Sequence, residues 1–231
     1  MPDNSPVTVL TDIPFKAEDK ALSEALQLEA NPWFRDDVEA LAREAEAVAR
    51  PKGVYKVSAV EPLGDDKIAV DGVTFTSRVL RVNVADSGRV FPFIATCGQE
   101  IETWSRDLDD PMKQFWADGI KEMALGAAIH ALGEHLVETY QPGARAMMNP
   151  GSAGDWPVKE QPALFSIFDD VPEQLGVTLS KSHLMSPVKS VSGVWFQTED
   201  GFESCQLCPI LDCPKRRAPY DEHLFDREYK L

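Results

Sequence analysis

Between Val54 and Cys97 the hydrophobic period shortens, and that change limits what the chain can fold into. Val54, Val57 and Val60, then Ile68, Val70, Val73 and Phe75, then Val79 to Val84, then Val90 to Ile94 form β-branched runs. They are separated by Gly64-Asp65-Asp66, Asp71-Gly72 and Ser87-Gly88. Strand formers punctuated by turn residues predict an antiparallel meander, with Asp71-Gly72 as its clearest hairpin. Helical patterns flank it. Leu22 and Leu26 recur between Ala17 and Leu28, and Val38, Leu41 and Val48 between Asp36 and Ala49. From Pro111 to Tyr140 a long helix is expected, with Phe115, Ile120, Met123, Ala127, Ala131 and Leu136 along one side and Pro142-Gly143 as its stop. A helix from Glu160 to Phe168 and strands at Val177 to Leu179 and Ser190 to Phe196 follow. Helices, meander, long helix, helix and strands in that order predict an α+β fold in which helices cover an antiparallel twisted sheet. Residues 1–200 are expected to form this body and residues 201–231 a cysteine-rich tail.

The 231 residues, 43% of them hydrophobic, are enough for a substantial core. The formal charge of −15 repels a phosphate backbone, so nucleic acid is not an expected partner. Met1 to Val9 lack a basic flank and an apolar stretch, and no run approaches the roughly 18 to 20 apolar residues of a membrane span. The expected location is the cytoplasm, without a membrane partner. The long helix carries Ala124, Gly126, Ala127, Ala128, Ala131 and Gly133, small residues that let another backbone approach closely. His130 and His135 stand five apart, which does not put two imidazoles on one helical face. A P-loop, a nucleophile elbow and a His-Glu-x-x-His motif are all missing, and no catalytic acid, base or nucleophile is expected.

Three of the four cysteines, Cys205, Cys208 and Cys213, fall within nine residues, with two and four residues between them. In a cytoplasmic chain of this size clustered thiols favour a metal over disulfides. A four-thiolate iron–sulfur (4Fe-4S) cluster would need Cys97, the remaining cysteine, as its fourth ligand. A non-cysteine fourth ligand such as His223 is the alternative, and zinc also accepts three thiolates and an imidazole. Lys215-Arg216-Arg217 follows at once and reads either as charge compensation for a thiolate cluster or as a solvated turn.

Several motifs in order carry a resemblance. The long helix leads to Arg145 and then to Asn149-Pro150-Gly151-Ser152, followed by Gly154-Asp155-Trp156-Pro157 and Glu160-Gln161. Gly176-Val177-Thr178-Leu179-Ser180 and Pro187-Val188-Lys189-Ser190-Val191-Ser192-Gly193 come next. Together, from about Met112 to Phe196, they resemble the activation domain of cobalamin-dependent methionine synthase in its stand-alone form. That domain binds S-adenosylmethionine and remethylates an inactivated corrinoid. Its Arg-x-x-Pro-Gly-Tyr loop matches Asn149-Pro150-Gly151, with Ser152 where the family has tyrosine and Arg145 five residues ahead of Pro150 instead of three.

The resemblance implies that the chain docks on the cobalamin-binding module of a methyltransferase and helps return its cobalt to service. It implies S-adenosylmethionine as methyl donor, held near Arg145, Asn149, Pro150, Gly151 and Ser152. The family's domain has no cysteine cluster, so Cys205, Cys208, Cys213 and Cys97 are expected to add an electron relay. The alternative is a non-catalytic corrinoid-protein binding module whose tail is pinned by structural zinc.

Overall fold

Residues 7–85, 87–152, 154–199, 201–213 and 215–230 are described in a computed structural model of the chain. The first half contains β1 (Thr8–Leu10), α1 (Asp19–Ala25), α2 (Arg35–Val48), β2 (Lys52–Tyr55), β3 (Ser58–Pro62), β4 (Lys67–Val70), β5 (Val73–Thr76) and α3 (Arg78–Asn83). Next come β6 (Arg89–Thr96), α4 (Gln99–Arg106), α5 (Pro111–Tyr140) and β7 (Arg145–Met148). The last part has α6 (Gln161–Ser166), α7 (Val171–Gln174), β8 (Thr178–Leu179), β9 (Met185–Ser186) and β10 (Ser190–Gln197). The fold is α+β with an antiparallel sheet, as the periodicity predicts.

β6 is the middle of that sheet. Along one edge it pairs β2, from Lys52 opposite Thr96 to Tyr55 opposite Phe93, and then β3 at Ser58 and Ala59. Along the other edge it pairs β10, from Ser190 opposite Thr96 to Trp195 opposite Phe91. β1 extends the sheet beyond β2 and β7 extends it beyond β10, while β3 turns away to pair β4 and then β5. The arrangement is thus more than a meander, because the late strand β10 inserts beside β6. Asp71-Gly72 does form the β4–β5 hairpin, with φ of 50° and 80° and Val70 opposite Val73, the positive-φ pair that a two-residue hairpin turn requires.

Because side chains alternate across a strand, β6 feeds two cores. Phe91, Phe93 and Ala95 join Tyr55, Trp195 and the inner faces of α2 and α5. Val90 and Ile94 join Val54, Val194 and Phe196 in a second core with Phe75, Leu80, Trp156 and Leu164. Phe93 and Trp195, cross-strand neighbours on the α5 side, stack with centroids 3.8 Å apart and planes 8° off parallel.

Two local expectations are corrected. The run Val79 to Val84 is not a strand: Arg78–Asn83 is the helix α3. Ser77 caps it by accepting from Leu80 N at 3.0 Å, and a distant carboxylate, Asp155, accepts from Val79 N at 2.9 Å. Satisfied N-terminal amides outweigh the valines' strand preference. The buried stripe of α5 keeps Ile120 and Leu136 as expected but elsewhere runs one residue over, through Trp116, Ala124, Ala128 and Leu132, leaving Phe115 62% exposed. Ala124 and Ala128 on the inner face let the helix lie close on the sheet, where large residues would hold it off. Among the described residues no helix is long and apolar enough to cross a membrane.

The closeness of α5 to β2 is testable at Gly53, where an added Cβ would collide with the buried Leu132 side chain and press on the Ile94 carbonyl. Gly53→Ala is expected to cost about 1–3 kcal/mol, read from the midpoint of urea unfolding at unchanged slope.

Candidate functional site

The segment after β7 is a loop closed by its own polar groups. Asn149 Nδ2 donates to the Ser192 carbonyl at 2.7 Å across the β7–β10 edge. A Cβ on Gly193 would strike that amide group and the Met148 carbonyl, so the seat depends on glycine there. Ser152 Oγ donates to the Asn149 carbonyl at 2.7 Å and accepts from Asn149 N at 3.3 Å. Gly151, at φ of 86°, donates its N–H to the Trp156 carbonyl at 2.7 Å. Pro150 is buried. The structure therefore brings Asn149, Pro150, Gly151 and Ser152 into one turn; Ala153, in the same loop, lies outside the described residues.

The far side of the loop is clamped to the second core. Trp156 is fully buried, lies edge-on to Phe75 at 5.7 Å, and donates Nε1–H to Glu160 at 3.2 Å. Asp155 accepts from Val79 N, from Arg78 N at 3.3 Å and from the Ser77 hydroxyl. Its carboxylate is spent on the α3 N-terminus, where the helix dipole favours negative charge.

Arg145 is not part of this turn. It opens β7, opposite Gln197, whereas Asn149 follows the other end of the strand. Its Nη1 donates to the Gly133 carbonyl of α5 at 3.2 Å. Strand alternation explains the placement: Ala146 and Met148 enter the second core, and Arg145 and Met147 face α5.

A cavity of about 410 Å³ opens beside the loop, lined by Gly154, Asp155, Leu207, Tyr220, Asp221, Glu222 and Phe225. Five of these seven come from the tail. Asp221 N donates to the Gln206 carbonyl at 2.9 Å, and Arg227 pairs with Asp221 at 3.0 Å, which ties this stretch of the tail to itself. Leu224 and Tyr229 are buried in the second core, and Asn83 of α3 donates to the Tyr229 hydroxyl at 3.0 Å. Sequence reasoning missed these cavity residues. The available signal was aromatic side chains, Tyr220 and Phe225, in an otherwise charged tail.

The described residues do not bring the expected metal set together. Among the described residues, which include all four cysteines, no three His, Cys, Asp or Glu side chains are grouped to hold a metal ion. Cys97 lies in the α5-side core, fully buried, its Sγ 3.6 Å from the Gly98 carbonyl oxygen. Burial, helped by the charge of Glu102, pushes its thiol up to about 12, the opposite of what a thiolate ligand needs. His223 is exposed beside Glu222.

The turns of the cysteine run converge on a guanidinium. Arg216 donates to the carbonyls of Cys205 and Cys208 at 2.8 Å, Ile210 at 2.6 Å and Ala218 at 3.0 Å. Its neighbours are tethers too: Lys215 pairs with Glu122 of α5, and Arg217 with Glu203 at 2.8 Å. Lys215 and Arg217 are exposed, as a solvated turn requires, while Arg216 turns inward onto backbone carbonyls. As the residues stand, they do not fit a four-thiolate cluster or a three-thiolate zinc site.

Glu122 is the anchor on the body. Lys189, whose Nζ also lies 2.8 Å from Asp118, reaches Glu122 at 3.3 Å from the other side. Burial works against the Glu122 charge, but the hydrogen bonds and charges of Lys215 and Lys189 outweigh it and hold the carboxyl below its ordinary value. Lys189 is likewise held above the usual lysine value by Asp118 and Glu122 against its own burial.

No protein-family profile matches the chain, and no curated protein sequence matches it. Its fold is similar to a crystal structure of the MetH reactivation domain bound to AdoHcy, with a TM-score of 0.63 and 15% identity. The match covers 87% of this chain and 81% of that one. At that identity the likeness establishes the fold.

Two outcomes follow for the tail and its anchor. Arg216→Ala removes the charged donor of four carbonyl bonds, each worth roughly 1.5–3 kcal/mol, and is expected to speed protease cleavage within 205–217 at least tenfold, whereas Cys208→Ser leaves it unchanged. Glu122→Gln is expected to be less stable than the parent at neutral pH. A depressed carboxyl contributes its stability above the ordinary glutamate value and loses it as pH falls through the lowered one. Urea unfolding against pH should therefore show the two proteins converging in acid.

Proposed function

We propose that this chain is a stand-alone activation subunit for a cobalamin-dependent methyltransferase. It would dock on the partner's cobalamin-binding module and present S-adenosylmethionine as the methyl donor when the partner's corrinoid has fallen out of its working state. The observation that carries this reading is the likeness in fold to a reactivation domain whose crystal structure holds AdoHcy, the thioether that S-adenosylmethionine becomes on losing its methyl. The loop from Asn149 to Ser152 supports it, because the motif that resembles the family's Pro-Gly loop forms a closed turn, and Gly154 and Asp155, just after it in the chain, line a cavity of ligand size. In this reading residues 1–200 are the activation-domain body, and residues 201–231 are an accessory segment that completes the cavity wall.

The corrinoid, on the partner, supplies the nucleophile that accepts the methyl group. This chain's residues bind, orient and shield: the clamped loop gives the ligand a fixed floor, and no side chain is required to move a proton. No step is routed through the cysteine run, because its residues do not fit an electron-transfer centre. A second reading, a corrinoid-protein binding module without a donor ligand, is favoured by two contacts. Ser152 spends its hydroxyl inside its own turn, and Arg145 spends part of its guanidinium on α5.

The deciding experiment mixes this chain with a methyltransferase core whose cobalt has been oxidised by one electron, adds a chemical one-electron reductant, and follows methylcobalamin formation. Product that requires both this chain and S-adenosylmethionine supports activation. Co-elution of the chain with the core without S-adenosylmethionine-dependent product selects the binding module, and the absence of both co-elution and product rejects both readings.

A further inference from the structure

Tyr220 and Phe225 keep much of their ring surface open, although Phe225 also rests one side against the Tyr229 ring at 6.0 Å. They are 39% and 41% exposed, whereas the tail's other large anchors, Phe202, Leu224 and Tyr229, are buried. Both rings line the cavity of about 410 Å³ beside Gly154, with Leu207 as an apolar neighbour. The backbone beneath them is fixed by the Asp221–Gln206 hydrogen bond and the Asp221–Arg227 ion pair. Glu222 adds a carboxylate at the rim, 73% exposed. Asp155 adds none, since its oxygens face the α3 N-terminus.

Aromatic faces around a small cavity, with a carboxylate at its edge, suit a ligand that joins a flat base to a separate cationic centre. We infer that Tyr220 and Phe225 form the aromatic wall of an S-adenosyl ligand site whose floor is the Gly154-Asp155 loop, so that the tail completes the pocket of the body. The inference rests on the ligand reading given under the proposed function and names the residues that would serve it. It also gives the tail a role that does not need its thiols. Ser152, folded back onto Asn149, adds no aromatic side chain to the loop, and the two rings at the cavity both come from the tail. In this site stacking would serve the base, and the ring faces with Glu222 would favour the charged sulfonium over a neutral thioether.

The test is isothermal titration of the full chain with S-adenosylmethionine and with S-adenosylhomocysteine, in the parent and in Tyr220→Ala, Phe225→Ala and Tyr220→Phe. The parent is expected to bind S-adenosylmethionine more tightly than S-adenosylhomocysteine. Each alanine variant is expected to weaken S-adenosylmethionine binding by about tenfold, and Tyr220→Phe to retain it within about twofold. Both side chains being substantially exposed, the thermal midpoint should stay within a few degrees, which separates lost binding from lost fold. If the parent binds S-adenosylmethionine and the alanine variants bind it equally well, the aromatic wall is wrong while the ligand reading stands. If the parent binds neither ligand, the ligand reading fails and the site with it.

Discussion

The burial of β6 on both faces is the constraint on which the rest of the molecule depends. A strand covered on two sides must place apolar side chains alternately up and down and pair along both edges, or leave backbone groups unsatisfied in a dry interior. Arg89–Thr96 meets both demands, with β2 and β3 on one edge and β10 on the other. The partition into two cores follows: α2 and α5 cover one face, and the β4–β5 hairpin, α3 and α6 cover the other. Shifting this strand by one residue would exchange the two sets of side chains and leave Phe91 and Phe93 without their partners Tyr55 and Trp195.

The ligand-side loop inherits its rigidity from that arrangement. β10 must lie against β6 before Ser192 can accept from Asn149, and Gly193 must be bare for the amide to fit. Asp155 then joins the loop to α3 across more than seventy residues of chain, and capping stabilises helix and loop together. Removing that carboxylate would leave amides at the helix start unpaired and the loop unclamped at once.

The tail is held by charge and hydrogen bonding at one end and by packing at the other. A single guanidinium has five N–H donors in a planar fork, enough to gather several carbonyls that a short proline-rich run leaves without partners. Arg216 does this for the cysteine run, while Lys215 and Glu122 fasten it to α5 and Leu224 and Tyr229 seat the chain end in the second core. A turn organised this way has no need of a metal to define its path.

The sequence by itself determined the α+β class, the Asp71-Gly72 hairpin and the bounds of α5, because each rests on local physics: side-chain period, positive-φ residues and helix stops act within a few residues. It also marked the Asn149-Pro150-Gly151-Ser152 loop. Only the tertiary structure decided that Val79 to Val84 would be helix, since one of its caps, Asp155, lies 76 residues away in the chain. Tertiary packing also turned Arg145 toward α5, buried Cys97 as a neutral thiol apart from the other three cysteines, and set Tyr220 and Phe225 at the cavity beside the loop. Cysteine spacing fixes how near thiols are along the chain, but ligand convergence depends on where the turns between them point, and here the Arg216 guanidinium sets that direction.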